Sequence, residues 1–253
     1  VIYYGIKDKS LGTKSLSHAS DATLCPNCLL PLDYQVCFIS HLGIYKCPKC
    51  KAIQPKTDIY CPQVKFLKGN YTQILIKGPL NKYLVRIRLP GLYNIYNVLA
   101  SFTAGLILKI NPSKIIKAFN FFKPAFGRFE EIKLRKKILR ILLVKNPTGF
   151  NEVLKTVIQL TKQKKASLLI VLNDLTADGR DVSWIWDVDF NLLKKLNLDK
   201  IIVSGIRAED MALRIKHANL QFSPPAGGFN FQLEKNLKAA ISTLNNQSNK
   251  NLF

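Results

Sequence analysis

A chain of 253 residues that is 47% hydrophobic can bury a real core, and its length suggests one large or two modest domains. Nothing in it resembles a secretory signal, and no apolar run is long enough to span a membrane. The net charge of +22 invites a nucleic-acid reading, yet only eight of the 38 basic residues are arginine, the type best suited to bidentate phosphate and base-edge contacts. The scattered lysine reads as compositional bias that attracts anionic substrates and membrane surfaces at low salt, and no nucleic-acid partner is expected.

The chain opens Val1-Ile2-Tyr3-Tyr4-Gly5, a β-like run without an initiator methionine, which suggests a start inside a domain. A polar loop around 10–21 leads into a cysteine-rich insertion. After it, 71–77 and 83–89 read as a hairpin about the turn Gly78-Pro79-Leu80-Asn81. Apolar residues then recur at helical spacing over 92–108, and Asn111-Pro112-Ser113 closes that helix and starts another that runs to about Phe122. Strands are expected over 129–134 and 138–144, a helix from Asn146-Pro147 to about Lys164, and strands over 167–172 and 201–204, followed by a helix over 207–217. This alternation implies an α/β layer with a mostly parallel sheet. The punctuation Lys123-Pro124-Ala125-Phe126-Gly127 marks the domain boundary, and the tail after about Leu244 reads as low in complexity and frayed.

The cysteine insertion carries the most specific chemistry. Cys25-Pro26-Asn27-Cys28 is followed, after eighteen residues, by Cys47-Pro48-Lys49-Cys50, the spacing of a structural zinc ribbon. Each C-x2-C pair bends into a knuckle that aims two thiolates at one point. Two knuckles complete a tetrahedral shell with no open position, so the site holds structure and performs no chemistry. Cys37 and Cys61 fall outside the pairs and read as small buried hydrophobes. His41 is the one alternative ligand nearby.

Four further constellations stand out. Gly91-Leu92-Tyr93-Asn94-Ile95-Tyr96-Asn97 is a glycine turn into a helix, where Asn94 either caps the helix or reads an adenine edge. Gly127-Arg128-Phe129-Glu130 offers an arginine to a phosphate or nucleotide. Lys145-Asn146-Pro147-Thr148 lies between a strand and a helix, at the rim where α/β proteins place their sites, which makes Lys145 and Asn146 candidate cofactor contacts. The strongest is the loop Asn173-Asp174-Leu175-Thr176-Ala177-Asp178-Gly179-Arg180-Asp181 and its continuation to Asp189, with five aspartates and both tryptophans of the chain. Acids so close together repel one another unless Arg180, a metal, a partner or an ammonium-like species compensates them. Such clusters concentrate at functional sites.

The ordered series of both CPxC knuckles, GLYNIYN, GRFE, KNPTGFNEVL, LNDLTADGRDVSWIWDVDF and SGIRAEDMALR resembles the MurT family, Mur-ligase-like subunits of lipid II isoglutaminyl synthase, over roughly residues 1–220. The resemblance implies an α/β fold: part of a Mur ligase central domain over 1–130, interrupted at about 22–55 by the zinc ribbon, and a smaller C-terminal domain over 131–253. It implies ATP-dependent amidation, through an acyl phosphate, of the D-glutamate carboxylate of lipid II to D-isoglutamine. Ammonia would come from a GatD-like class I glutamine amidotransferase.

By position, Cys25, Cys28, Cys47 and Cys50 correspond to Zn2+ ligands and Asn94 and Arg128 to nucleotide contacts. Asp178 corresponds to the catalytic acid that completes the partner's Cys–His pair; Asp174, Asp181 and Asp187 are lesser candidates, Asp174 as a further cofactor contact beside Lys145 and Asn146. Such a chain would be cytoplasmic and peripheral to the membrane face that carries its lipid-linked substrate. The family's GTNGKTT-type loop for ATP with Mg2+ should lie upstream of Val1, so this chain is not expected to hydrolyse ATP alone. From about Gln221 the tail departs from the family pattern. Two other readings follow from the same residues: a zinc-ribbon nucleic-acid binder, and a Mur ligase that adds an amino acid.

Overall fold

The computed structural model describes residues 1–17, 20–79, 81–122, 128–218 and 230–253, with the backbone alone described at Arg128 and Asn230. The expected boundary at 123–127, Leu80 of the hairpin turn and the run 224–228 lie outside the described residues. The chain divides into two compact units, Val1–Lys123 and Pro124–Phe253.

In the first unit, β1 (Tyr4–Ile6) leaves the sheet for the cysteine insertion, which contains the antiparallel hairpin β2 (Asp33–Ile39) and β3 (Leu42–Lys46). The chain returns as β4 (Ile59–Phe66), parallel to and directly beside β1, with Asp58 N donating to Tyr3 O and Lys7 N to Cys61 O, both at 2.8 Å. Departure and return at one point make the ribbon an insertion that the sheet tolerates without rearrangement. The strand β4 is not expected from the sequence, because Pro62 lacks a backbone donor; the ladder accommodates it at the irregularity between Tyr60 and Gln63.

The hairpin β5 (Thr72–Lys77) and β6 (Lys82–Ile87) completes the order β1-β4-β5-β6. Alternate residues of β5, Ile74 and Ile76, face the core together with Val85 and Ile87. Against them lies α1 (Leu92–Ile107), whose Ile95, Val98, Leu99 and Phe102 form one helical stripe. The helix α2 (Pro112–Phe121) starts with the expected signal: Asn111 Oδ1 accepts from Ser113 N at 2.9 Å and proline fills the first helical position.

The second unit is a six-stranded sheet. Its elements are β7 (Arg128–Leu134), β8 (Lys137–Leu142), α3 (Pro147–Thr161), β9 (Ala166–Val171), β10 (Leu198–Ser204), α4 (Ala208–Lys216), β11 (Asn230–Leu233), α5 (Leu237–Asn245) and β12 (Asn251–Leu252). The order is β11-β10-β9-β12-β8-β7, parallel throughout except for β7. Leu168, Ile201 and Val203 pack with α3, α4 and the segment between β9 and β10, whereas Leu169, Ile202 and Leu252 pack with Ala240 and Leu244 of α5. Strand alternation thus divides the apolar residues between two covered faces, the architecture of an α/β layer. The mostly parallel sheet expected from the sequence is present.

The expectation of a frayed tail is overturned. Residues 237–245 form α5, and β12 inserts between β8 and β9 with Leu252 fully buried and Phe253 N donating to Ser167 O at 3.0 Å. A two-residue strand preceded by Asn, Gln, Ser and Lys has too little periodicity to be read, and only the neighbouring strands reveal it. Replacing Leu252 with Ala should destabilise this unit by about 2–5 kcal/mol in denaturant unfolding. A frayed tail would leave the midpoint unchanged.

Candidate functional site

In the first unit, the hairpin β2–β3 brings the two knuckles together, since Asp33 pairs with Lys46 and the cysteines flank those ends. The knuckles repeat one geometry. Cys25 N donates to Leu30 O at 2.8 Å and Cys47 N to Ala52 O at 2.7 Å, and the residue after each second cysteine, Leu29 or Lys51, is left-handed at φ 58° and 62°. The four sulfurs lie within 4.8 Å of one another, with Cys25–Cys50 at 3.5 Å and Cys28–Cys47 at 3.4 Å.

A tetrahedral shell with Zn–S of about 2.3 Å has sulfur–sulfur edges near 3.8 Å, whereas a disulfide needs about 2.05 Å. The thiols fit a shared ion, and none forms a disulfide. Burial opposes ionisation of Cys47, but N–H groups of Cys50 and Lys49 and the thiols of Cys28 and Cys50 bring it down to about 6. The Ala52 N–H favours the Cys50 thiolate, yet the sulfurs of Cys25 and Cys47 outweigh it and push that thiol up to about 11. Crowded thiolates need a cation before all four can ionise.

His41 is not a ligand: it sits in the Ser40-His41 turn at the far end of the hairpin, about 20 Å of strand away. Cys37 and Cys61 are buried as expected, and burial pushes the Cys61 thiol up to about 12.

Asn94, also in the first unit, is not the helix cap. Gly91 occupies that position with φ 92°, and Asn94 lies buried in the first turn. Its Nδ2 donates to Pro90 O at 2.6 Å, and its Oδ1 accepts from Asn97 Nδ2 at 3.4 Å. The amide thus braces the glycine turn against the helix.

The other expected residues belong to the second unit. Arg128 opens β7 opposite Leu142, with its side chain outside the described residues. Lys145, Asn146, Asp174 and Asp178 gather at the carboxyl edge of the parallel strands, just after β8 and β9. Asn146 caps α3 by accepting from Gly149 N at 2.7 Å. Lys145 Nζ reaches across to donate to Ala177 O at 2.9 Å, tying the β8 edge to the acidic loop.

The aspartates of that loop have separate placements, Asp187 in the electrostatic field of Arg214. Asp174 pairs with Arg207 Nη1 at 3.2 Å, and Arg207 Nε pairs with Asp210 at 2.6 Å. These partners hold the guanidinium firmly in its charged form, and Arg207 in turn holds Asp210 below the usual carboxylate range. Asp181 is held below the usual carboxylate range by the Ser183 hydroxyl and by the Ser183 N–H, which donates to it at 2.8 Å, and Asp189 caps a 3-10 turn through Asn191 N. Asp178 stands in a turn closed by its own N–H and that of Gly179, both donating to Leu175 O, at 2.8 and 3.0 Å. Its carboxylate is exposed and makes no hydrogen bond or ion pair among the described residues. Compensation thus comes from Arg207, not from Arg180, which is itself exposed and without a partner among the described residues.

The sequence reading missed the residues that order this loop. Gly205, at φ 100°, lets the turn after β10 approach Leu172 so closely that a Cβ would lie 2.3 Å from the Leu172 carbonyl oxygen. Ile206 N donates to Asn173 Oδ1 at 3.0 Å and Arg207 N to Leu172 O at 3.0 Å. Arg214 donates to the carbonyls of Ile185 and Val188 at 3.1 and 2.7 Å, and its guanidinium lies 5.1 Å from the Phe190 ring centre. Asn151 Oδ1 accepts from Asp189 N at 2.8 Å. The usable signal was the SGIRAEDMALR segment, with two arginines a helix apart just after a strand's carboxyl end.

A pseudomurein peptide ligase type C from Methanothermus fervidus superposes with a TM-score of 0.63 at 21% identity, covering 96% of this chain and 52% of that one. The chain therefore has the α/β fold of Mur-type ligases, with an inserted four-cysteine ribbon.

Residues 143–253 match the MurT ligase C-terminal family. The chain is 35% identical over 224 residues to the lipid II isoglutaminyl synthase subunit MurT of Staphylococcus aureus strain COL, covering 87% of this chain and 48% of that protein. The corresponding subunit of Streptococcus pneumoniae strain R6 is 31% identical over 252 residues, covering 99% of this chain and 54% of the relative. The segment from 143 to the end of the second unit is thus similar to the MurT ligase C-terminal family, and the resemblance to MurT is borne out along most of the chain. The chain spans about half the length of these curated relatives. No helix among the described residues is long and apolar enough to cross a membrane.

Exchange of Cys47 for Ser should remove bound metal, measured by elemental analysis, and expose the ribbon to proteolysis between 25 and 50. Metal retained at wild-type stoichiometry would exclude Cys47 as a ligand.

Proposed function

We propose that this chain is about half of a MurT-type subunit that, with the segment its relatives carry in addition, amidates the D-glutamate α-carboxylate of the lipid II stem peptide to D-isoglutamine. The first unit would be part of a Mur ligase central domain, and the four cysteines would hold structural Zn2+. The nearly matched thiol separations support zinc, and a closed four-sulfur shell keeps that ion out of the chemistry. ATP with Mg2+ would supply the phosphoryl group that activates the carboxylate, with Asn94 and Arg128 as nucleotide contacts and Lys145, Asn146 and Asp174 as further contacts on the second unit.

The single observation that carries the amidation reading is Asp178. A carboxylate held on an ordered turn and left without an intramolecular partner among the described residues is suited to a group on another chain. Its role would be to accept a hydrogen bond from the histidine of a GatD-like glutamine amidotransferase. That contact fixes the imidazole tautomer and stabilises its charged form, while the partner's cysteine releases ammonia from glutamine. Leu175, Trp186 and Ile206 are exposed on the same loops and offer apolar area for such a contact. A ligase that takes a free amino acid has no use for this arrangement. Work on a lipid-linked substrate would bring the protein to the cytoplasmic membrane face.

In a complex of the subunit with its amidotransferase, Asp178→Asn should lower glutamine hydrolysis by about 10²-fold or more while circular dichroism stays unchanged. Unaltered hydrolysis would remove Asp178 from the catalytic set. Absence of amidated lipid II from the wild-type complex supplied with glutamine and ATP would overturn the proposed reaction.

A further inference from the structure

The second unit separates its charges by sheet edge. Its acidic loop lies at the carboxyl ends of the strands, whereas the amino ends carry cations: Lys136 enters β8, Lys164 and Lys165 enter β9, and Lys250 enters β12. The tip of the β7–β8 hairpin adds Lys133 and Arg135 at the same edge, because Leu134 pairs with Lys137 at the start of β8. An open hollow of about 820 Å³ lies between this tip and Asn245–Asn246 at the end of α5, and no acid among the described residues lines it. Two acids lie near this edge and both are occupied: Asp199 at the start of β10 by Lys165 at 3.7 Å and Asn249 at 3.1 Å, and Glu131 of β7 by Arg140 at 2.9 Å.

Not every cation here is available. Lys137 donates to the Asn245 carbonyl at the carboxyl end of α5, a structural role for a lysine at a helix terminus. Lys133, Arg135 and Lys136 are exposed and form no hydrogen bond or ion pair among the described residues. Three unpaired cations within four residues at a protruding turn exceed what diffuse lysine requires.

We propose that this basic edge docks the protein on an anionic phospholipid bilayer, with the hairpin tip as its centre. A flat, multiply charged surface matches several exposed cations spread along one edge, and each contributes about fivefold to binding near an anionic leaflet. Within the second unit this orientation turns the Asp178 loop away from the lipid, free for a soluble partner. The choice of a bilayer over other polyanions rests on the lipid-linked substrate of the proposed function.

The test is sedimentation of the full chain with vesicles of phosphatidylglycerol and phosphatidylcholine, compared with phosphatidylcholine alone. Wild type should bind the anionic vesicles and release them as salt rises. Exchange of Lys133, Arg135 and Lys136 together for Gln should weaken binding about 100-fold. A control that removes the same charge from the first unit, Lys65, Lys68 and Lys114 to Gln, should change it by no more than a few-fold. Equal losses in the two variants, undiminished binding in the hairpin variant, or a hairpin-dependent preference for a single-stranded RNA oligonucleotide over the vesicles would overturn the proposal. The assay needs neither ATP nor glutamine. Loss of amidation with intact hairpin-dependent vesicle binding would therefore count against the proposed reaction and not against the docking edge.

Discussion

The ordering of the second unit's site depends on the ion pairs of Arg207. One guanidinium holds Asp174, from the loop after β9, and Asp210, in the first turn of α4. It can do so only because Gly205 brings the turn after β10 into contact with Leu172 and Asn173. Two loops from adjacent parallel strands are thereby fixed to each other at the carboxyl edge of the sheet, where α/β proteins form their sites. Five aspartates in one loop of a folded domain would otherwise repel one another. Here Asp174 is neutralised by an arginine, Asp181 and Asp189 satisfy backbone N–H groups of Ser183 and Asn191, Asp187 lies in the field of Arg214, and Asp178 remains turned outward.

The first unit meets a different constraint. Its cysteines are not held by a core of their own; the hairpin β2–β3 brings the knuckles together, and the parallel pairing of β1 with β4 closes the insertion on the parent sheet. The left-handed residues Leu29 and Lys51 show that both knuckles impose the same backbone cost, roughly 1–2 kcal/mol each for a non-glycine residue. A metal ion held by the four thiols would supply free energy to offset it, since coordination in small ribbons contributes to folding directly.

Much of this was legible in the residues. The cysteine spacing, the two Asn-Pro helix starts and the apolar strands of the parallel sheet are local signals, and each appears where its chemistry requires. What was missed depends on neighbours distant in sequence. Pro62 hides β4, whose pairing with β1 forms across the ribbon, and β12 is too short to show a period. Asn94 reads locally as a cap, yet Gly91 takes that position because its positive φ suits the turn. The arginines that organise the acidic loop lie about thirty residues downstream of it, and only the adjacency of β9 and β10 brings them together. Asp178 stands out through the motif that contains it; the partners of its neighbours required the fold.

The central claim is that Arg207 orders the loop that presents Asp178. Hydrogen exchange of the amides of Asp178, Gly179 and Ile206 tests it most directly, comparing the intact chain with Arg207→Gln. Release of the loop should speed exchange at these three positions by at least about tenfold while amides within β9 and β10 keep their protection. Unchanged exchange at Asp178 and Gly179 would show that the loop is ordered without Arg207 and contradict the account.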